Sequence, residues 1–539
     1  MAVPHAVLAA GWIPFFITIV LIIFFSFIYV RYFQSKYESE ICSTLVAISG
    51  LVVAMITTAL LPVDIFLVSY MKFPNGTFRD WASSPEDRQG IEHMLTYGYY
   101  ALYACVILWM FFILPFAYFF YEEGDSERTS SSRCCTAIKF TGGFVILATV
   151  LMLIGAFAPL QISPNANSTE WDRIKDLFKE MGKNHGEDSI AFTISMMTLL
   201  GMVMFIIYTG YGMSAWPMDL VKGRRSLTRE RLEVVRNRSD VKEKIAALRA
   251  KYADNQRMSN RDRNQLEELQ DQEHLMSRRE CQLDVADKSW LRKCGILLRP
   301  FEIILGVICF LMALLIFMSL LMTNIDKILY SLGWRFGYVL PEHHLPNPID
   351  IVLVYSQKVF PIDYILLAFM IMYLLFCAMG GIQHMGIWCF CVRMYKIRPR
   401  RTKPQGLLFL VFILMLIVLA LNVIVFQITP QYSTFGNQHY LTYENVTVGN
   451  HTEHVPKLVP CNLSASPDDC VMTSVSLLLK KFFYRVWFFG ACYYYASWVL
   501  LFVFLVGFLV TLIKKRRSQI EGSVDRDDIE SDDEVLVEA

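Results

Sequence analysis

The chain has 539 residues, of which 55% are apolar and only 18% are charged, and its formal net charge is +1. The apolar residues form long runs almost free of charge, whereas a soluble protein would spread them at helix or strand periods. This composition excludes a soluble globular protein, and the near-neutral charge gives no sign of a nucleic-acid partner. We predict an all-α polytopic membrane protein.

Five apolar segments in the first part of the chain predict transmembrane helices. The first, from about Ala9 to Val30, has no Lys or Arg before it and is followed by Arg31. A missing basic n-region argues against a cleaved signal peptide, and basic residues after the span place the N-terminus in the lumen or outside the cell. The other four predicted spans run from about Ile41 to Tyr70, Tyr97 to Tyr121, Phe140 to Pro159 and Ile190 to Gly212.

A long charged stretch from Met213 to Arg299 follows, with 20 Lys or Arg and 14 Asp or Glu. Its apolar residues recur at helical spacing in two groups, which predicts two antiparallel helices in a cytosolic hairpin. The pattern does not decide between a docking arm for a cytosolic partner and a solvated spacer. The first group is Val234, Val241, Ile245, Leu248 and Tyr252, the second is Leu266, Leu269, Met276 and Leu283, and Arg238, Glu273 and Glu280 interrupt the heptads.

Four further spans complete a nine-span topology, which puts the two ends of the chain on opposite sides of the membrane. They run from about Ile303 to Thr323, Tyr364 to Val392, Gly406 to Gln427 and Val486 to Ile513. Ser523 and Ser531 in the acidic tail are candidate phosphorylation sites. The predicted regions are a five-span part (1–212), the hairpin (213–299), a four-span part (300–513) with a luminal loop (428–484), and a disordered cytosolic tail (514–539).

Two features agree with this topology. Basic residues crowd the loop from Arg393 to Lys403 and the segment from Lys514 to Arg517, as cytosolic flanks should be. Five glycosylation sequons fall in loops assigned to the lumen, at Asn75, Asn167, Asn445, Asn450 and Asn462, whereas one at Asn237 lies on the cytosolic side.

The cysteines suggest two further modifications. Cys461 and Cys470 lie nine positions apart in the largest luminal loop and are candidates for a disulfide, with two free thiols as the alternative. Cys134 and Cys135 lie just before the fourth span and are candidates for S-palmitoylation, with two unmodified thiols as an equal alternative.

Signs of catalytic chemistry are few, and the polar residues within spans are the candidates for a functional site. No P-loop and no H-E-x-x-H or paired C-x-x-C motif occurs, so we predict neither an ATPase nor a metal site, and no enzyme. Asp64 and Asn422 could line a polar path, and Asp64 could carry a proton. The alternative for Asp64 is a carboxylate near the headgroups at the end of its helix.

Several stretches resemble the limb-region membrane protein family, which includes the lipocalin-interacting membrane receptors. They are Leu60–Lys72, Asn75–Trp81, Tyr97–Tyr100, Asn167–Trp171, Phe360–Ile365 and Arg393–Arg398, and the match extends to the acidic tail. The resemblance implies a lysosomal multi-pass glycoprotein that is needed for cobalamin (vitamin B12) to leave the lysosome. It also implies an ABC-type cobalamin transporter and a cytosolic cobalamin-processing protein as partners, with cobalamin as cargo and no enzymatic cofactor.

The resemblance also implies alternatives at other membranes. The family is linked to the plasma membrane and to clathrin-mediated uptake, where a clathrin adaptor and a receptor cargo would be the partners. A Y-x-x-Φ sorting signal would be expected in the charged stretch, but the matching residues read Arg229-Glu-Arg-Leu232, without the tyrosine. Three functions therefore follow: escort of a transporter, direct carriage of cobalamin, and a surface receptor or endocytic adaptor.

Overall fold

The computed structural model describes most of the two membrane regions and the hairpin. The described residues are 5–35, 40–122, 130–157, 185–223, 225–252, 259–288, 290–331, 333–334, 337–338, 340, 343–357, 359, 361–389, 392–448, 451–461, 465–466, 469–485, 487–514 and 516.

The first seven helices include two spans that are interrupted by π-helical turns. Trp109–Ile113 and Phe205–Gly210 form these turns and join α3 to α4 and α6 to α7. The helices are α1 (His5–Phe33), α2 (Ile41–Ser69), α3 (Pro85–Leu108), α4 (Leu114–Glu122), α5 (Ser130–Phe157), α6 (His185–Met204) and α7 (Tyr211–Lys222).

Nine helices and four short strands follow along the described chain. The helices are α8 (Leu227–Lys251), α9 (Asn260–Lys288), α10 (Trp290–Tyr330), α11 (Pro348–Ser356), α12 (Ile362–Met385), α13 (Pro404–Ile428), α14 (Pro430–Phe435), α15 (Ser474–Arg485) and α16 (Trp487–Ile513). The strands are β1 (Ile387–Cys389), β2 (Val392–Tyr395), β3 (His439–Val448) and β4 (His451–Pro460).

Within the described residues, nine helical stretches are long and apolar enough to span a membrane, which confirms the predicted fold class and number of spans. The third stretch begins earlier than predicted because Ser84 caps α3, accepting the Glu86 N–H at 3.2 Å, and Pro85 occupies the first turn. The stretches are Phe15–Phe33, Ile41–Ser69, Pro85–Glu122, Ser131–Ile154, Ser189–Lys222, Leu298–Tyr330, Ile362–Met385, Pro404–Ile428 and Phe488–Ile513.

The chain divides into two compact units. The first comprises Met1–Ser214 and Leu311–Phe508, and the second comprises Ala215–Phe310 and Leu509–Ala539. In the first unit α13 is the central helix, because none of its residues is exposed. By contrast α1 exposes its apolar side chains, as expected of a helix at the lipid boundary.

Glycines allow helices of the first unit to touch backbone to backbone. A Cβ on Gly381 of α12 would lie 2.0 Å from the Tyr208 carbonyl oxygen, and one on Gly212 would lie 1.9 Å from the Cys377 carbonyl oxygen. Gly201 of α6 approaches α13 in the same way. Small residues at such crossings let membrane helices pack at close range, where van der Waals contact is strongest.

In the second unit α8 and α9 run antiparallel and are joined by ion pairs. Arg231 bonds Asp284 at 2.9 Å, and Lys242 lies 3.5 Å from Glu273. Arg238 and Glu280 pair at 2.6 Å. Residues that interrupt the heptads are therefore interhelical partners, while Val241, Ile245 and Leu283 form the buried seam. The cytosolic placement of this pair stays a prediction.

The predicted loop 428–484 contains a structure that the sequence analysis did not anticipate. Strands β3 and β4 pair antiparallel, with His439 opposite Pro460 and Thr447 opposite Thr452. Cys461 follows β4 directly and is bonded to Cys470, with Cα atoms 5.9 Å apart. The hairpin and the disulfide give this loop a fixed framework.

The Gly381 crossing yields a first prediction. Gly381→Ala should lower the unfolding temperature of the purified protein in detergent, because the added methyl must push α12 away from Tyr208. Overpacking of this kind costs about 1–3 kcal/mol. Gly142→Ala is the matched control, since its Cβ would meet no atom within 4 Å, and it should be neutral or slightly stabilising. Equal unfolding temperatures for the two variants would contradict the close crossing.

Candidate functional site

Buried polar residues gather at one end of the first unit, around the short helix α14. We use the name polar cap for the set formed by α14, Asp64, Asn347, Asp350 and Asp363. The side chains of all four named residues are buried, Asp64 and Asp363 completely. Polar groups in such surroundings need hydrogen-bond partners, because an unpaired one costs several kcal/mol.

Asn347 ties the end of α13 to the start of α11. Its Nδ2 donates to the Ile428 carbonyl at 2.9 Å and to the Thr323 hydroxyl at 3.1 Å. Its Oδ1 accepts from the N–H groups of Ile349 and Asp350, which makes it the N-cap of α11. One amide therefore satisfies carbonyl and N–H groups at two helix ends.

Asp350 holds the first turn of α14. Its two oxygens accept the N–H groups of Tyr432 at 3.1 Å and Gln431 at 3.3 Å. Burial raises the pKa of Asp350 to about 7, and the two backbone hydrogen bonds oppose the rise only in part. Asp363 completes the cluster by accepting the Tyr432 hydroxyl at 2.8 Å.

Asp64 holds the first turn of α15 in the same manner. Its oxygens accept the N–H groups of Ser474 at 3.2 Å and Val475 at 2.8 Å. The carboxylate is completely buried within the protein, and its depth relative to the headgroups stays a prediction. Its observed contacts are those of a helix cap, and use of Asp64 in a polar path or in proton transfer stays a prediction.

Asn422 lies in the last third of α13 and is also buried. It borders a cavity of about 10 Å³ that Ser195, Thr198 and Tyr493 also line. Such a volume holds about one water molecule. The cavity is therefore too small for the corrin ring, the macrocycle of cobalamin.

The predicted modification sites are described only in part. Asn75 is exposed, and its Oδ1 accepts the Thr77 hydroxyl at 2.7 Å, in an exposed turn between α2 and α3. Asn445 lies in β3 opposite His454. Asn167, Asn450, Asn462, Ser523 and Ser531 lie outside the described residues.

The sequence analysis missed Asn347 and Asp350. Their signal was present, because Asn followed by Pro348 is typical of a helix start, and Pro430 marks the start of α14. Both residues lie between spans, where a polar side chain does not stand out in the sequence as intramembrane charge does. Among the described residues no group of three or more His, Cys, Asp or Glu side chains could hold a metal ion.

The raised pKa of Asp350 yields a second prediction. Because the folded-state pKa is about 7 and the unfolded value is 3.8, the folded state binds the proton more tightly. The contribution of Asp350 to stability is therefore complete below about pH 4 and is lost as the pH rises through 7. The slope is at most about 1.4 kcal/mol per pH unit.

Asp350→Asn removes this titration, so the difference in unfolding free energy between the wild type and the variant should shrink from pH 4 to pH 7. Chemical unfolding in detergent across this range measures it. Asp271→Asn, at an exposed position of α9, is the control and should leave the pH dependence as in the wild type. A constant wild-type-minus-variant difference for Asp350→Asn would contradict the assignment.

Comparison with known proteins places the chain in a family. The LMBR1-like membrane protein family matches residues 11–295. A probable lysosomal cobalamin transporter of Nematostella vectensis is 45% identical, over 99% of this chain and 100% of its own length. The lysosomal cobalamin transport escort protein LMBD1 of Danio rerio is 44% identical, over 99% of this chain and 100% of its own length.

The human protein of the latter name is 45% identical, over 99% of this chain and 98% of its own length. No solved structure matches the chain at a significant level. Identity of this degree along the whole length agrees with the resemblance carried by the loop and span motifs. The chain belongs to the LMBR1-like membrane protein family.

Proposed function

We propose that the protein is a lysosomal membrane protein required for cobalamin to leave the lysosome, and that it acts as an escort of an ABC-type cobalamin transporter. The names of relatives that match almost the whole chain support the role in cobalamin transport and the lysosomal location. Cobalamin is then cargo of the transporter, and the protein itself is neither an enzyme nor the holder of a cofactor.

The contacts made by the buried polar residues are the observation that favours an escort over a carrier. Asp64 caps α15 with both carboxylate oxygens, so each oxygen has a structural role at a helix start. Asn422 borders a cavity of about 10 Å³, which is far too small for cobalamin. A carrier would need such groups to line a pathway.

The proposed orientation puts the N-terminus and the polar cap in the lumen and the C-terminus in the cytosol. Exposed Asn75 and the β3–β4 hairpin with its sequons support this. Asp350, with a pKa of about 7, would be mostly neutral in an acidic lumen, where the cost of burying its charge is removed.

The α8–α9 pair is the proposed cytosolic docking surface. Leu232 and Val235 on α8 are 66% and 42% exposed and lie on one face, three positions apart. A transporter or a cytosolic cobalamin-processing protein could cover them. Residues 229–232 are helical, so they lack the extended shape as well as the tyrosine of a clathrin-adaptor signal.

The distribution of labelled cobalamin tests the function. Cells without the protein should retain the vitamin in lysosomes, and the wild-type chain should restore export. Asp64→Asn should lower the amount of protein, because an amide presents only one acceptor to the Ser474 and Val475 N–H groups. Export per molecule of lysosomal protein should remain at the wild-type level.

Asp64→Ala, normalised in the same way, controls for the loss of the cap. Loss of export per molecule in Asp64→Asn would favour a carrier that depends on this carboxylate. If cells without the protein distribute cobalamin normally, the proposed role in cobalamin export is wrong. Surface labelling of its glycans at steady state would then support the receptor function.

The docking surface has its own test. Leu232→Asp with Val235→Asp should reduce co-purification of the ABC transporter by at least about tenfold, because the partner would bury two unpaired carboxylates in place of two apolar side chains. Protein amount should not change, since both side chains are exposed. Asn237→Asp with Ala247→Asp adds the same charge at other exposed positions of α8 and should leave co-purification intact.

A further inference from the structure

Helices α1 and α2 leave a groove of about 490 Å³ between them. Its walls include Val20, Phe24 and Leu45, which are 66%, 63% and 59% exposed. Both helices are membrane-spanning stretches, so these side chains face hydrocarbon rather than water. The groove is therefore apolar along most of its length and open towards lipid.

One end of the groove is polar. Arg31 and Gln34 line it from the end of α1, and Glu40 lines it from the start of α2. The Gln34 amide donates to the Thr44 hydroxyl at 2.5 Å and accepts from the Arg31 guanidinium at 3.3 Å. These contacts hold the arginine at the mouth of the groove.

A basic loop, residues 393–403, adds positive charge at the same end. It contains six Lys or Arg and no Asp or Glu. Backbone hydrogen bonds fix it to the end of α1: the Arg400 N–H donates to the Tyr32 carbonyl at 3.0 Å, and the Thr402 N–H donates to the Phe33 carbonyl at 3.1 Å. Gln34 and Thr402 form an isolated β-bridge, so the loop runs beside the mouth.

Arg400 has a strained backbone. Its φ angle is 61°, in the left-handed region that favours glycine, and its side chain is exposed. Strain of this kind costs about 1–3 kcal/mol and persists where the surrounding structure imposes it, often at ligand sites. The backbone hydrogen bond from Arg400 to Tyr32 fixes this exposed residue beside the neighbour of Arg31, which lines the groove.

We propose that this groove binds one anionic glycerophospholipid, with an acyl chain along α1 and α2 and the headgroup phosphate between Arg31 and the basic loop. The apolar walls require a lipid rather than a free phosphate. Arg31 lines the groove and exposed Arg400 belongs to the adjoining loop, while Glu40 is the acidic side chain in the lining, so a headgroup with net negative charge fits better than a zwitterionic one. Arginine is the side chain best suited to bind phosphate.

Native mass spectrometry of the full-length protein tests this site. The protein is released from nanodiscs that contain equal parts of phosphatidylcholine and phosphatidylglycerol. The wild type should retain one phosphatidylglycerol preferentially. Arg31→Gln with Arg400→Gln should weaken this retention about fivefold for each arginine removed, without affecting phosphatidylcholine. Leu45→Trp, which fills the groove, should reduce retention of both lipids.

Arg236→Gln with Arg249→Gln is the matched control, since it removes two exposed arginines from α8. It should leave lipid retention at the wild-type level. Equal retention of both lipids by the wild type, or equal losses in the two double variants, would indicate boundary lipid only and overturn the site. Displacement of the lipid by soluble glycerol phosphate, or full retention in Leu45→Trp, would overturn the role of the groove.

Discussion

The fold of the first unit depends on satisfying backbone groups where helices end among buried side chains. With no water to bind them, free N–H and C=O groups at these ends would each cost several kcal/mol. Asp64, Asn347 and Asp350 provide the missing acceptors and donors. The turn from α13 into α14 and the start of α15 exist because these three side chains are present.

This constraint bears directly on function. A carboxylate that accepts two backbone N–H groups is held in place by a helix end, so it is not free to move with a passing ligand. The intramembrane charge that first suggests transport, Asp64, is therefore accounted for by architecture. An escort, which needs a stable fold and a docking surface, is consistent with such a protein, whereas a carrier would require mobile, hydrated polar groups.

The sequence predicted the nine spans because a span is a local property of about 20 consecutive residues. It could not predict the partner of Asp64, which lies 410 positions away in the chain. In the predicted apolar seam between α8 and α9, Arg238 and Glu280 occupy positions where apolar residues were expected. In the structure these two residues pair with each other. The β3–β4 hairpin was not predicted, because its polar residues and sequons are typical of a loop.

The two ends of the first unit are stabilised by opposite kinds of electrostatics. At the polar cap, Asp350 is buried with a pKa of about 7, so acidic surroundings relieve the cost of its charge. At the other end, exposed Arg31 and Arg400 carry positive charge where the anionic lipid is proposed to bind. In the orientation proposed above, the polar cap lies on the acidic side of the membrane, where a neutral Asp350 side chain costs less to bury than a charged one.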